Sequence, residues 1–482
     1  MKKKTKILLL LVNFWKFPAQ SPHFGLLSLA AYIKQKSPDV EVKIIEGENP
    51  IPEIIKANAD IIGFTSDTLM FEKTLESAKE IKKRVKAFLF IGGIHISASP
   101  ESFDPVFDLG VIGEGEKTLL ELIEIYKKDH KFPFKKIEKI KGVIFFKNAK
   151  IFKTGKRELI EDIDGLPFPA RELVPMEEFY LKDQINLFGV RRMATIMTSR
   201  GCPYHCVFCG SPVQWGRVRF HSPEYILKEI KHLINKYEID GIMFWDDLFI
   251  APEERVKKLA ELIEKNGLNK KLTFFGYARA NLINERICLI LKKMNVKRLI
   301  FGLESGSERI LNYLKQNSVT VADNKRAVTL CRKYNLTSSS GYIVGTPGET
   351  LADLKKTYEF MKKYPLDNTH IYILTPYPGT KIWEYSKENK LLSDKIEYSQ
   401  LFVQLPSLNL LDFFKKDPPD FLNDRIFLNT KYRYHKKYLK IIYQMEKSAL
   451  LQNMKFYFKT VLPDIFLMKR IITKSLKNLL MK

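Results

Sequence analysis

The sequence predicts an α/β chain with two successive parallel sheets: a doubly wound domain, then a partial (β/α)6 barrel. Three observations carry this expectation. Short runs that are apolar throughout alternate with amphipathic stretches over residues 6–128. The alternation lapses over 130–190 and resumes from 191 to about 377. The chain, at 482 residues, is also too long for one ordinary core. Strands apolar on both faces and separated by helices imply parallel sheets covered on both sides.

In the first region KILLLLVN (6–13) precedes FGLLSLAAYIKQK (24–36), and VEVKIIEG (40–47) precedes PEIIKANA (52–59). DIIGFTS (60–66) leads to LMFEKTLESAKEIKKR (69–84). FLFIGG (88–93) leads through a loop to DLGVIGEG (108–115) and EKTLLELIEIYKK (116–128). Five βα units of this kind make a flavodoxin-like sheet. KGVIFFKNAKIFKTGK reads as a hairpin and GLPFPAREL as a Pro-bearing connector, which places a linker over 136–190 after a first domain of 1–135.

The barrel begins with RMATIMTS (192–199), a strand that ends on a cysteine-bearing loop. Ser222 and Pro223 open the next helix as N-cap and first turn, with Ile226, Ile230, Leu233 and Tyr237 on its apolar face. Strands GIMFWDD (241–247), LTFFGYAR (272–279), RLIFGLES (298–305), SSSGYIVG (338–345) and HIYILTPY (370–377) follow, with helices between them. Six such repeats fall short of the eight of a closed barrel, and the expected site lies at the strand C-terminal ends. The barrel is placed at 191–390 and a basic helical region at 391–482.

The chain carries 80 Lys and Arg against 55 Asp and Glu, a net charge of +25, which favours anionic partners or reflects a Lys-rich proteome. MKKKTKILLLLVNFW imitates a signal peptide, but its six-residue apolar run, Ile7–Val12, suits a buried strand better. No stretch reaches the roughly 18 apolar residues of a membrane-spanning helix. Five cysteines are no disulfide framework, and a reducing, cytoplasmic setting is expected. Residues 421–482 hold 14 Lys and Arg, three Asp and Glu, and ten Phe and Tyr. That composition suits peripheral contact with the inner face of an anionic membrane, or a helix packed over the barrel with a solvated Lys face. Nucleic-acid binding finds no supporting motif.

Cys202, Cys206 and Cys209 fall within eight residues of TSRGCPYHCVFCGSPVQWG, just after the first barrel strand. Four thiolates ordinarily hold a [4Fe–4S] cluster, so three leave one iron open. The competing reading is zinc, with His205 or a distant His as fourth ligand, although no second C-x-x-C element is present. The motif in this context resembles the radical S-adenosylmethionine (SAM) superfamily. The resemblance implies that these cysteines ligate the cluster and that SAM chelates the open iron. Reduction of the sulfonium would then yield a 5′-deoxyadenosyl radical. By the same resemblance Phe208 and Gly210 lie near the adenine. Glu304 and Ser305, in FGLESGSERIL, lie near the ribose and amino acid, and Gly345, in GYIVGTPGET, lets the backbone approach. Arg279 would pair with the SAM carboxylate or salt-bridge at the rim. Asp246 and Asp247 would border a substrate cavity or cap a helix.

VNFWKFPAQSPHFGLLSLAAYI, IIGFTSDTL, FIGGIH and VIGEGEKTLLELI together resemble the cobalamin-binding domain that precedes many radical SAM domains. GEGEKT does not satisfy the phosphate-loop pattern. The resemblance implies cobalamin contacts from Ser66, Thr68, Gly92, Gly93, Gly113, Glu114, Gly115 and Glu116. The D-x-H-x-x-G signature is missing around His23, so no histidine ligand to cobalt is expected and His23 reads as a loop residue. The implied activity is methyl transfer to an unactivated carbon of a small-molecule or lipid substrate, with flavodoxin or ferredoxin as electron donor. Oxidative cyclisation without methyl transfer is the alternative within enzymes, and a non-catalytic cobalamin sensor the alternative outside them. Cys288 and Cys331 are expected to pack on apolar helix faces.

Overall fold

The computed structural model describes residues 7–14, 21–181, 188–392, 396–398, 401, 428–432 and 435–461. The chain forms two compact units. The first contains residues 1–180, 209–220 and 376–401; the second contains 181–208, 221–375 and 402–482.

The first unit is built on a sheet of order β2-β1-β3-β4-β5-β6-β7. Strands β1 (Ile7–Phe14), β2 (Val40–Gly47), β3 (Ile61–Thr65), β4 (Phe88–Gly92) and β5 (Leu109–Val111) are parallel. Helices α1 (Phe24–Lys36), α2 (Ile51–Ala57), α3 (Phe71–Lys82), α4 (Ile94–Ala98) and α5 (Glu116–Asp129) connect them. The all-apolar strand β1 explains the layering. Leu9 and Leu11 join one buried cluster with residues of α1 and α5, while Leu8, Leu10 and Val12 join another with residues of α2 and α3. The order reverses between β1 and β3, and the crevice outside the strand carboxyl ends at such a point is where doubly wound sheets bind ligands. The expected linker begins inside this unit. β6 (Val143–Lys147) and β7 (Lys150–Lys153) form the antiparallel hairpin and extend the sheet from β5.

The second unit is the partial barrel. Its parallel strands are β8 (Met193–Ile196), β9 (Gly241–Phe244), β10 (Thr273–Ala278), β11 (Val296–Glu304), β12 (Thr337–Val344) and β13 (Asn368–Ile373), neighbours in that order. Helices α6 (Pro223–Tyr237), α7 (Glu253–Lys265), α8 (Glu285–Lys293), α9 (Glu308–Lys315), α10 (Val321–Lys333) and α11 (Leu351–Lys363) alternate with them. The expected caps are present: the Ser222 side chain accepts from Tyr225 N–H, and Asn284 from Ile287 N–H. Cys288 and Cys331 are fully buried, and burial pushes the Cys288 thiol up to about 11.

An open barrel leaves an edge strand whose backbone needs partners. Helix α12 (Lys436–Val461) supplies them to β13. Asn453 Oδ1 accepts from Thr369 N–H at 2.7 Å, and Asn453 Nδ2 donates to Thr369 O at 2.9 Å. Gln452 Oε1 accepts from Leu366 N–H and from the Thr369 hydroxyl. Tyr438, Ile441, Ile442, Met445 and Ala449 are buried, so the apolar face of this helix is occupied within the fold. The alternative of a helix packed within the fold therefore fits 436–456, and residues 402–427, 433–434 and 462–482 lie outside the described residues. Among the described residues no helix is long and apolar enough to cross a membrane.

Replacing Asn453 by Ala strands the Thr369 backbone pair, at a cost of about 1–3 kcal/mol. Amide hydrogen exchange at Thr369 is expected to accelerate and the melting temperature to fall; unchanged exchange would contradict the edge-cap role.

Candidate functional site at the strand ends

Beyond β8 the chain passes Thr198 and Ser199 into the loop bearing Cys202, Cys206 and Cys209. Buried Asp246, just after β9, fixes where that loop departs. It accepts from Thr198 N–H (2.8 Å), Thr198 Oγ1 (2.9 Å) and Ser199 Oγ (2.6 Å). Burial pushes the Asp246 carboxyl up, while nearby Arg255 and these donors favour its charge. Asp246 therefore does not cap a helix, since α7 begins after Pro252. Asp247 is exposed, and its charge acts on Cys202.

The rest of the loop rests on α9 and the end of β10. Val207 N–H donates to Leu314 O at 3.0 Å, and Lys315 Nζ stands 5.4 Å from the Phe208 ring centre. Arg279 Nη1 lies 3.4 Å from Cys206 Sγ, and its Nη2 donates to Ser318 Oγ at 2.5 Å. Its guanidinium sits 3.7 Å from the Tyr204 ring centre, while Nε is buried without a partner. Arg279 thus holds the cysteine loop, and among the described residues it makes no salt bridge. Tyr204 is fixed in turn by Asn281 Nδ2 at 3.1 Å. Burial pushes the Cys202 thiol up, with the Tyr204 backbone and Arg279 opposing.

Glu304 ends β11 with a left-handed backbone, φ 60°, where the register with β12 shifts. Its carboxylate folds back over Gly302, where a Cβ would lie 2.2 Å from Oε1, and pairs with buried Lys315 at 2.7 Å. Ser305 is fully buried, and its hydroxyl meets Thr357 Oγ1 and Ser307 N–H, so it ties the start of α9 to α11. Gly345 has φ 82°, and its N–H donates to Glu349 Oε2 at 3.0 Å and meets the Tyr438 hydroxyl at 3.1 Å. Tyr438 also donates to Glu349 Oε2, while Glu349 Oε1 is buried without a partner. Burial pushes the Glu349 carboxyl up to about 7.

In the first unit the expected residues gather at the ends of β3, β4 and β5. Gly93 has φ 99°, and a Cβ there would lie 2.6 Å from Ser66 O, so only glycine fits. The Ser66 hydroxyl donates to Asp67 O, and Thr68 Oγ1 lies 3.3 Å from His95 Nδ1. His95 stands two residues beyond Gly93, where no motif in the sequence singles it out. It is held by Ser102 Oγ at 3.0 Å and stacks on Phe71, and burial pushes it down to about 3, which keeps it neutral. Gly113 has φ 79° and open space where a Cβ would stand. Two of the expected acids are buried on protein partners. Glu114 pairs with buried Arg219 at 2.8 Å and accepts from Ile160 N–H; Glu116 accepts from Ser28 Oγ at 3.0 Å. His23 caps α1 by accepting from Leu26 N–H.

Comparison with known proteins defines the class. The profile of the Radical SAM superfamily matches residues 196–361, and that of the B12 binding domain matches residues 11–123. An uncharacterized methyltransferase of Pyrococcus horikoshii is 34% identical over 77% of this chain and 80% of its own length. The anaerobic magnesium-protoporphyrin IX monomethyl ester cyclase of Cereibacter sphaeroides is 25% identical over 78% of this chain, which spans 61% of that protein. The radical SAM methyltransferase TsrM of Kitasatospora setae, solved with cobalamin and a [4Fe–4S] cluster bound, superposes with TM-score 0.64 at 20% identity. That match covers 81% of this chain and 76% of TsrM. The chain belongs to the cobalamin-binding radical SAM family. It is a radical SAM enzyme whose cofactors are SAM, a [4Fe–4S] cluster and cobalamin.

Arg219→Met leaves Glu114 buried without its cation and is expected to cost about 3–5 kcal/mol in unfolding free energy. Adding Glu114→Gln should recover most of this; equal losses in the single and double variants would contradict the pairing. Glu349 is expected to destabilise the fold as pH rises. Its folded carboxyl titrates near 7, above the ordinary range, so its contribution is complete below about 4.5 and lost as pH climbs through 7. The melting temperature of Glu349→Gln relative to wild type should therefore rise from pH 5 to pH 8. A flat difference would contradict the assignment.

Proposed function

We propose that the enzyme transfers a methyl group from SAM to an unactivated carbon of a small-molecule or lipid acceptor. The observation that carries this reading is the 34% identity to a methyltransferase. It is joined to a three-cysteine loop positioned by Asp246 and Arg279. The donor chemistry suits a cluster, although among the described residues no three Cys, His, Asp or Glu side chains are already placed around one metal position. The soft thiols include Cys206, whose sulfur already receives an Arg279 N–H, as a cluster thiolate would. Cys202, Cys206 and Cys209 would hold three irons and leave the fourth for SAM. When bound, the cluster supplies the electron that cleaves the sulfonium, and cobalamin carries the methyl group.

The chain's own residues do the positioning. Gly345, held in its turn by Glu349 and Tyr438, would offer backbone to the adenine, and Phe208 its ring. Glu304, neutralised by Lys315, stands at the strand end where ribose hydroxyls would approach. In the first unit Gly113, with open space where a Cβ would stand, would present side-chain-free backbone to cobalamin, while Gly92, Gly93 and Gly115 let the neighbouring chain pack close and Ser66 and Thr68 brace that edge. A low-potential carrier such as flavodoxin or ferredoxin would deliver electrons. Oxidative cyclisation remains the second reading, favoured by the 25% identity to a cyclase.

Reconstituted anaerobically with reductant, SAM and extract of the source cell, the enzyme should form 5′-deoxyadenosine and S-adenosylhomocysteine in equal amounts. An extract component should gain the mass of one CH2. A component losing two hydrogens, with no S-adenosylhomocysteine, would favour the cyclase reading. Cys206→Ala should abolish the visible cluster band and 5′-deoxyadenosine together; retention of either would contradict the ligand assignment.

A further inference from the structure

The inner face of the barrel carries polar and charged side chains beside a packed apolar cluster. Barrel interiors are ordinarily filled with layers of branched apolar side chains. Strand register identifies the inward set here. Met193, Met243, Phe275, Tyr277 and Ile300 share one cluster with Val190 and Phe188, apart from the helix-facing residues. Phe275 is opposite Arg298, Ile300 opposite Ser339, Ser339 opposite Asn368, Gly341 opposite His370, and Ile343 opposite Tyr372. The inward positions of β10 to β13 therefore include Tyr277, Arg298, Ser339, Asn368, His370 and Tyr372.

These side chains are organised. Arg298 Nε donates to Ser339 Oγ at 2.7 Å, and its guanidinium lies 6.0 Å from the ring centre of Phe456 on α12. The Arg298 charge reaches both Tyr277 and His370, and His370 is held below its ordinary range first by burial and then by that charge. The Tyr372 ring covers Gly341, where a Cβ would come within 2.3 Å of it, and His370 stacks beside it. Trp245, 38% exposed, meets Tyr277 edge to face. Arg298, Tyr277, Ile300, His370 and Tyr372 all keep partial exposure. Asn368 is 4% exposed, and its Oδ1 is buried without a partner. An unpartnered amide inside a lumen otherwise lined by a cation and aromatic rings points to a polar ligand group.

We infer that the lumen binds the methyl acceptor, and that the acceptor carries an anionic group, carboxylate or phosphate, seated deep against Arg298. A neighbouring hydroxyl or N–H of the acceptor satisfies Asn368, and its aromatic or apolar body lies against Tyr277, Tyr372 and Trp245. The geometry also sets its length. The Arg298–Ser339 bond is level with Ile300, four residues below Glu304 at the strand end. At about 3.3 Å per residue, the anion and the reacting carbon are roughly 13 Å apart. An elongated amphiphile with a charged end fits; a compact neutral substrate does not. This inference rests on the reaction proposed above and deepens it.

Isothermal titration calorimetry on the anaerobically reconstituted holoenzyme tests it with three probes. 4-Hydroxyphenylacetate and phenyl phosphate carry the two anion types, and 4-hydroxyphenylacetamide is the neutral control. At least one acid should bind about tenfold or more tightly than the amide, as expected of one charge-assisted contact. Whichever acid binds better distinguishes the carboxylate source from the phosphate source. Arg298→Gln should erase the preference and Arg298→Lys keep part of it, with cluster absorbance and circular dichroism confirming folded, loaded protein. If Arg298→Gln fails to fold, the comparison of acid and amide on wild type decides. Equal affinity for acids and amide, or no binding of any probe, overturns the anion site. Absence of 5′-deoxyadenosine from the wild-type enzyme would instead overturn the proposed reaction.

Discussion

A single buried carboxylate sets the geometry on which the reactive end of the barrel depends. Asp246 gathers the Thr198 backbone, the Thr198 hydroxyl and the Ser199 hydroxyl within 2.6–2.9 Å, so the first strand and the second end in one rigid knot. Three cysteines leave from that knot. A loop that must present thiolates at fixed spacing cannot wander at its root, and a buried charge satisfied by three donors is costly to rearrange. Arg255, bonded to both oxygens of Thr198, keeps the charge compensated.

The same device recurs around the site. Glu304 and Lys315 form a pair with side chains 8% and 6% exposed, on a residue whose backbone is held at φ 60°. Arg279 reaches a cysteine sulfur while lying flat on Tyr204. Each charge is buried, and each has a partner on another element, so strand ends, α9 and the cysteine loop are mutually fixed. Pre-arranged dipoles and charges of this kind stabilise developing charge without reorganising when the reaction occurs. In the first unit Gly93 and His95 do related work with neutral groups: a close backbone approach to Ser66, and an uncharged imidazole held by Thr68 and Ser102, join the strand ends.

Much of this was legible in the residues themselves. Runs such as ILLLLV, buried on both faces, could only be interior strands, and the hairpin at 143–153 announced itself through its turn. The cysteine spacing identified the site because its chemistry is local in sequence. What escaped was long-range pairing. Glu114 and Glu116 looked like ligand residues, yet Arg219 and Ser28 claim them across 105 and 88 positions. The partner of Asp246, expected to border a cavity or cap a helix, is Thr198, 48 positions earlier. Glu349 became visible only through Tyr438, 89 positions later. The basic tail read ambiguously because apolar periodicity reveals that a helix has a buried face, not what buries it.

The central claim is that three protein thiolates hold the cluster and SAM completes it. Electron paramagnetic resonance of the singly reduced cluster, recorded with and without SAM, tests this most directly. A cluster with one open iron changes its g-values when SAM adds to that iron, and this is the result the account predicts. Identical spectra in the two samples would mean that the fourth iron is already fully ligated by the protein, and would contradict it.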